Sequence, residues 1–205
     1  MTYKPDQLGS VMPYVRKDAT WFLLGGPADA NEAQMMHKIR PRMHIIGFEP
    51  NVVMYDIQKA QGFPGLLLPV ALWSSTTTLR LGTPNQSSDF LQKHRSSSVC
   101  KFTDPVEYYE VAADTLDSLS AIHGPFVNAV LWIDIESAEL EALRGAEGLL
   151  SGRHIRTINL ETFEWDEPAT TTYLKQFGFK EVLRWGYGAN AEGTRRWWNG
   201  IYTLG

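Results

Sequence analysis

The feature that most constrains the fold of this chain is the alternation of short apolar runs with helix-like stretches. The apolar runs are Trp21–Leu24, Met43–Phe48, Leu66–Trp73, Val127–Ile135 and Ile155–Leu160. Short runs of continuous apolar character are typical of strands that are buried on both faces of a parallel sheet. Strands that alternate with helices predict a doubly wound α/β sheet.

Helix signals lie between these runs. Asp29 and Glu32 have the spacing of a capping box, which predicts a helix that reaches about Arg40. The clearest helix covers Ser137–Leu150, with leucines on one stripe and Ser137 as a good N-terminal cap. Two shorter helices are predicted over Thr115–Ile122 and from Pro168 to Gly178.

Two parts of the chain carry antiparallel signals instead. Thr77–Leu81 and Val106–Ala113 alternate polar and apolar residues, with a Ser-rich connection between them. This predicts a small inserted β pair, within an insertion covering approximately residues 74–113. Phe179–Trp185 and Trp198–Leu204 flank a loop rich in Gly and Asn, which predicts an antiparallel hairpin at the edge of the sheet.

Length and composition indicate one domain, residues 1–205. The chain has 205 residues, 43% of them hydrophobic, and its 19 basic and 23 acidic residues give a net charge of −4. This balance argues against a protein that binds nucleic acid with its whole surface, though not against a local basic patch. A single cysteine excludes a disulfide framework. No apolar run resembles a signal peptide or is long enough to span a bilayer, so we expect a cytoplasmic protein without a membrane partner.

Ligands of doubly wound sheets bind at the carboxyl ends of the strands. Glu49 stands at such an end, 24 residues after Gly25. This is the spacing at which an acid hydrogen-bonds the ribose hydroxyls of a nucleoside cofactor, and Gly25 and Gly26 would let the backbone approach it closely. The alternatives are a surface glutamate and an ordinary turn. Because GGPADA lacks the GxGxxG pattern, a dinucleotide is not favoured.

Acidic residues follow the fourth and fifth apolar runs. Asp134 and Glu136 share one side of a strand end, Glu139 follows them, and Glu161 follows the next run. Carboxylates at the end of an apolar strand are costly to bury without partners, which indicates a cation, a metal or a proton-transfer task. The alternative is that they complement a helix N-terminus, which explains Glu136 and Glu139 better than Asp134.

A set of motifs stands in a fixed order along the chain. They are GFEPN at 47–51, PVALW at 69–73, TLDSL at 115–119, WIDIESAELEALRGAEGLL at 132–150 and INLET at 158–162. The set resembles the FkbM family of S-adenosylmethionine-dependent methyltransferases. The resemblance implies a Rossmann-like class I methyltransferase fold, with a mostly parallel seven-stranded sheet and a C-terminal antiparallel hairpin. It also implies S-adenosylmethionine as the cofactor.

The resemblance further implies roles for single residues. Glu49 matches the acid that binds the ribose. Asp134 and Glu136 match the acidic motif that faces the methionine part and the acceptor. The implied neighbours of the adenine are Pro50, Asn51, Ala71 and Leu72.

The chain departs from the family pattern at two places. Ser137 stands where family members carry Gly. The first family motif resembles DxGAnxG, and the aligned FLLGGPAD places Leu23 at its acid and Asp29 at its final Gly, while Gly25 and Gly26 form the turn. The missing acid either weakens cofactor binding or leaves Asp29 as the partner of the methionine ammonium.

The leading hypothesis is O-methylation of a hydroxyl on a small molecule, glycan or natural product. Asp134, Glu136 and Glu161 are the candidate catalytic residues, because a hydroxyl acceptor loses its proton. Nucleic acid is not expected as the acceptor, and the sequence identifies neither a metal ligand nor an oligomeric state. One alternative is a degenerate family member that keeps the fold as a binding or assembly module. Another is a nicotinamide-dependent oxidoreductase that uses Glu49 in the same way.

Aromatic residues are concentrated toward the C-terminus, with five of the seven tryptophans at or after residue 132. Trp198 is expected to pack in the sheet. The residues from Trp185 to Trp197 stay candidates for binding the acceptor by stacking. His94 lies in the Ser-rich connection, a kind of segment that often forms a lid.

Overall fold

The computed structural model describes residues 7–26, 31–84, 97–99, 106–165, 167–189 and 196–205. The helices are α1 (Gln7–Val11), α2 (Asn31–Ile39), α3 (Val52–Ala60), α4 (Leu116–His123), α5 (Glu139–Arg144), α6 (Glu147–Ser151) and α7 (Glu167–Gln176), with a 3₁₀ turn at Met12–Tyr14. The strands are β1 (Trp21–Gly25), β2 (His44–Phe48), β3 (Leu66–Leu68), β4 (Ala71–Leu72), β5 (Thr77–Pro84), β6 (Val106–Asp114), β7 (Ala129–Ile133), β8 (Ile155–Phe163), β9 (Phe179–Ala189) and β10 (Arg196–Leu204).

Seven of these strands form one sheet in the order β3-β2-β1-β7-β8-β10-β9. The strands from β3 to β8 in this order run parallel. β10 runs antiparallel to both β8 and β9, so the chain ends in a hairpin at the sheet edge. The strand order reverses between β1 and β7, which is where ligands of such sheets bind. The predicted mostly parallel sheet with its terminal hairpin is confirmed.

Both faces of the sheet are covered, because alternate strand residues point to opposite sides. On one face, Leu131 and Ile133 of β7 join an apolar cluster with residues of α4, α5, α6 and α7. On the other face, Val130 and Trp132 pack with residues of α1 and α2. Burial on both sides explains why the sequence of β7 is apolar without alternation.

A second sheet has the order β4-β6-β5. β5 and β6 pair antiparallel from Thr77 and Ala113 to Pro84 and Val106, which confirms the predicted inserted pair. The single strand predicted over Leu66–Trp73 is wrong, because it is divided between β3 in the main sheet and β4 in the second. Pro69 lies at the division, and a proline lacks the N–H that a continuous ladder requires.

The predicted helix over Ser137–Leu150 is also corrected. It is interrupted between α5 and α6, where Asp117 of α4 accepts hydrogen bonds from the backbone N–H groups of Gly148 and Leu149 at 2.7 and 2.9 Å. A carboxylate at these N–H groups starts a new helix at that point. Ser137 does not cap α5; the residue before that helix is Ala138, which makes no side-chain cap.

Candidate active site

The ends of β1 and β7 meet at the point where the strand order reverses. The backbone N–H of Asp134 donates to the carbonyl of Gly25 at 3.1 Å. Gly26 has a φ of +70°, and a Cβ on it would lie 1.8 Å from the carbonyl oxygen of Asp134. Any side chain at this position would therefore collide with backbone. Leu72 reaches the same place, since its Cδ1 lies 3.1 Å from where a Cβ of Gly25 would be.

Glu49 lies directly after β2 and is only 7% exposed. Its Oε1 accepts the backbone N–H of Asn51 at 2.8 Å, and its Oε2 accepts the Nε2 of Gln58 at 3.4 Å. Burial raises its pKa to about 7, and these two hydrogen bonds oppose the rise. Each carboxylate oxygen can accept a further hydrogen bond, so both remain able to bind a hydroxyl.

Asn51 begins α3, a helix that the sequence pattern did not reveal. Its Oδ1 accepts the backbone N–H groups of Val53 and Met54 at 3.0 and 3.4 Å, as an N-terminal cap does. α3 in turn brings Gln58 back to Glu49. Gln58 was missed as a site residue, because its contact with Glu49 depends on this unpredicted helix.

Asp134 directly follows the end of β7, and Glu161 lies within β8, one residue after Leu160, which pairs with Ile133 of β7. Burial raises the pKa of both carboxyl groups, and the charges of Asp134 and Glu136 raise that of Glu161 further. Asp134 and Glu161 are therefore neighbouring carboxyl groups that each hold a proton more readily than a free carboxyl.

Glu136 and Ser137 form a strained turn after Asp134. Their φ angles are +56° and +76°, in the left-handed region that favours glycine. Ser137 thus occupies a glycine conformation at the position where the family pattern has Gly. Burial, followed by the charges of Asp134 and Glu139, raises the pKa of Glu136 to about 8.

Glu139 holds this turn from the start of α5. Its Oε1 accepts the backbone N–H of Ile135 at 3.0 Å. Glu139 is 4% exposed, and burial raises its pKa to about 8. This hydrogen bond explains Glu139 as a structural residue of the turn. The catalytic roles of Asp134, Glu136 and Glu161 stay predictions.

The second sheet, β4-β6-β5, is called the inserted sheet below. It contacts the candidate site through residues 97–99, where Ser98 bridges to Gly82 of β5. The hydroxyl of Ser98 donates to the carbonyl of Glu136 at 2.7 Å. The hydroxyl of Ser97 accepts the Nδ2 of Asn51 at 2.8 Å. The insertion therefore contacts both the Glu49 side and the Glu136 side of the site.

Aromatic rings lie beyond the acidic cluster. Phe163 is two residues after Glu161 on β8, which places it on the same face of the sheet. Its ring stacks on Trp165 at a centroid distance of 4.9 Å, and Trp165 is 45% exposed. Trp197 of β10 pairs with Phe163 across the ladder and is half-buried.

Two other tryptophans of the hairpin pack into the protein. Trp198 is 7% exposed, which confirms its predicted packing, and the guanidinium of Arg184 lies 4.9 Å above its ring. Trp185 donates its Nε1 to Asn159 at 3.1 Å and meets the ring of Trp132 edge-on at 6.1 Å. Trp185 is therefore a packing residue, whereas recognition of an acceptor by Trp197 stays a prediction.

Asp29 and His94 lie outside the described residues. Ala71 is buried beside Leu72 on β4, and Pro50 is half-buried between Glu49 and Asn51. In the described part of the chain, no group of three or more His, Cys, Asp and Glu is arranged to hold a metal ion. None of the helices in those same residues has the length and apolar character needed to cross a membrane.

Comparison with protein families gives a match that covers most of the chain. The Methyltransferase FkbM domain family matches residues 29–185, which include Glu49, Asp134 and Glu161. The chain belongs to this family. No curated protein sequence is significantly similar to the chain.

Solved methyltransferase structures share the fold at low identity. One is a precorrin-6y C5,15-methyltransferase from Geobacter metallireducens, with a TM-score of 0.54, 11% identity, and coverage of 100% of this chain and 90% of that one. Another is a Streptococcus pneumoniae protein with a proposed tRNA (m1A22) methyltransferase activity, in complex with S-adenosyl-L-methionine; its TM-score is 0.52, with 14% identity and coverage of 98% and 72%. A third is the methyltransferase domain of bacterial CtHen1-C, with a TM-score of 0.52, 12% identity, and coverage of 98% of both chains.

S-adenosylmethionine is the cofactor of this family, and the residues present fit it. Glu49 would hold the ribose with the free acceptor capacity of its carboxylate. The turn at Gly25 and Gly26 brings the end of β1 against the backbone of Asp134, whose carboxylate would lie on the methionine side. The structure also shows the departure from the first family motif. Leu23, which stands at the position of the motif's acid, is fully buried in the apolar core, and β1 contributes no carboxylate.

Proposed function

We propose that this chain transfers a methyl group from S-adenosylmethionine to a hydroxyl of a small molecule, glycan or natural product. The observation that carries the proposal is the placement of Asp134 directly after β7, beside the reversal of the strand order, with Glu161 on the neighbouring strand β8. Burial raises the pKa of both carboxyl groups, so each takes up a proton more readily than a free carboxyl. Such a pair suits an acceptor that must lose a proton when it is methylated.

The protein's part in this reaction is to orient the acceptor and to take its proton. When bound, S-adenosylmethionine would supply a methyl group on a sulfonium sulfur, and the neutral thioether that remains is a good leaving group. Asp134 would accept the proton that the acceptor hydroxyl loses on methylation. Glu161 would lie beside it on the neighbouring strand and is the second candidate for this role.

Aromatic surface near the carboxylates supports an acceptor with a flat apolar face. The stacked rings of Phe163 and Trp165 lie on the side of β8 that carries Glu161. A cavity of about 470 Å³ opens at the start of β10, where Arg196 and Trp197 are among its lining residues. Aromatic rings and arginine side chains stack on planar molecules and on the apolar faces of sugars.

The test is formation of S-adenosylhomocysteine from S-adenosylmethionine with a set of phenols, sugars and polyols. Asp134→Asn keeps the shape of the side chain but removes the proton acceptor, so turnover should fall by about 100-fold or more. Asp56→Asn, an exposed substitution on α3, is the matched control and should not change turnover. Equal turnover of the two variants would refute the role given to Asp134.

One observation favours a second candidate, a binding or assembly module without catalysis. Leu23 replaces the acid of the first motif and is buried among apolar residues, so that acid has no replacement on β1. A protein that binds S-adenosylhomocysteine but forms none from S-adenosylmethionine with any acceptor tested would support this candidate. Turnover that depends on Asp134 would exclude it.

A further inference from the structure

Residues 97–99 form a short segment that is anchored on the inserted sheet. Ser98 exchanges two backbone hydrogen bonds with Gly82 of β5, at 2.8 and 3.0 Å. Val99 packs against the apolar cluster of the same sheet, which includes Leu81 and Val111. The 97–99 segment is therefore held independently of the strand ends that form the site.

Ser97 connects this segment to the cofactor side of the site. Its hydroxyl accepts the Nδ2 of Asn51 at 2.8 Å and lies 2.8 Å from the hydroxyl of Thr83 on β5. With its Nδ2 held there, the amide of Asn51 presents its Oδ1 to the start of α3. The backbone N–H of the same Asn51 holds Glu49 at 2.8 Å.

Ser98 connects the segment to the acceptor side. Its hydroxyl donates to the carbonyl of Glu136 at 2.7 Å, and Ser98 is only 6% exposed, so water competes little for this bond. Glu136 and Ser137 are both in the left-handed region, which residues with side chains disfavour. Such a turn persists only where its surroundings hold it.

We infer that Ser97 and Ser98 are positioning residues that hold the cofactor-side loop and the acceptor-side turn at a fixed separation. Neither acts on the substrate directly; Ser97 acts through Asn51 and Ser98 acts through Glu136. The inference rests on the proposed function only in that Glu49 and Glu136 lie on opposite sides of one methyl-transfer site. The inserted sheet is then a structural part of that site.

The first test is the dissociation constant of S-adenosylhomocysteine, measured by calorimetry. Ser97→Ala and Ser98→Ala should each weaken binding about three- to tenfold, the effect of one shielded hydrogen bond. The double variant should lose less affinity than the product of the two single-variant losses, because both hydrogen bonds hold the same separation. Ser97→Thr keeps the hydroxyl and should bind like the unaltered protein.

The matched control is Thr76→Val, which removes a hydroxyl of the insertion that bonds Asp114 at 2.6 Å. It should leave binding unchanged. If Ser97→Ala and Ser98→Ala bind as tightly as this control, the inference is wrong.

A second readout needs no ligand. In Ser97→Ala, amide hydrogen exchange at Val53 and Met54 should accelerate, because their N–H groups depend on the orientation of Asn51. In Thr76→Val it should not. Unchanged exchange would overturn the inference, as would faster exchange with unchanged binding, since that outcome makes Ser97 a merely structural residue. If the unaltered protein binds no S-adenosylhomocysteine, the cofactor assignment fails, and the exchange rates still decide whether Ser97 holds Asn51.

Discussion

The ionisation of Glu49 should make cofactor binding depend on pH. Burial raises the pKa of its carboxyl to about 7. Only the ionised carboxylate offers all its oxygen lone pairs to two ribose hydroxyls. With this pKa, roughly nine-tenths of the protein is ionised at Glu49 at pH 8 and roughly one-tenth at pH 6. Because the apparent dissociation constant is divided by the competent fraction, binding should weaken about tenfold from pH 8 to pH 6, or about 1.4 kcal/mol.

Calorimetric titration with S-adenosylhomocysteine at several pH values between 6 and 8 measures this effect. Glu49→Gln should bind about tenfold or more weakly at pH 8, since it loses hydrogen bonds to a charged group, and its affinity should not vary with the ionisation of that side chain. Adenosine is the matched probe, because it carries the ribose but not the methionine part that would lie near the acidic cluster. If adenosine binds the unaltered protein equally well at pH 6 and pH 8, or if Glu49→Gln keeps the pH dependence, the role given to Glu49 is wrong.

Three further predictions concern stability, measured by urea unfolding. Ser137→Gly should raise the free energy of unfolding by about 1 kcal/mol, because glycine adopts the left-handed conformation without strain; no gain would contradict the strained turn. Gly26→Ala should destabilise the protein by more than Gly62→Ala, since both have a positive φ but a Cβ meets backbone only at Gly26; equal losses would contradict that contact. The free energy of unfolding should fall as pH rises from about 5 to 8, because the raised pKa values of Glu136 and Glu139 let the folded state hold more protons than the unfolded chain. The slope should approach 1.4 kcal/mol per pH unit for each group, and Glu136→Gln should reduce it; a rising curve would contradict these ionisations.

The sheet and most of its strands could be predicted from the sequence, because continuous apolar runs indicate burial on both faces. The apolar run around Leu131 predicts a strand that is buried on both faces. The acids come directly after this run, which predicts them at the end of the strand. Glu49 could be placed for the same reason. The proximity of Asp134 and Glu161 could not be predicted, since it requires that β7 and β8 be neighbours in a known register.

Contacts made across the chain were beyond sequence reasoning. The interruption between α5 and α6 is caused by Asp117, which lies 31 residues before the first N–H group it binds. Ser98 reaches Glu136 across 38 residues, and nothing in the Ser-rich connection indicates which serine does so. The division at Pro69, in contrast, had a local signal, because a proline rarely continues a central strand.

A structure of the protein with S-adenosylhomocysteine bound tests the central claim most directly. The account predicts that the ribose hydroxyls lie within hydrogen-bond distance of the carboxylate of Glu49. It also predicts that the sulfur faces the carboxyl groups of Asp134 and Glu161, with the turn at Gly26 beneath the cofactor. A ligand bound elsewhere, or one whose ribose does not contact Glu49, would contradict it.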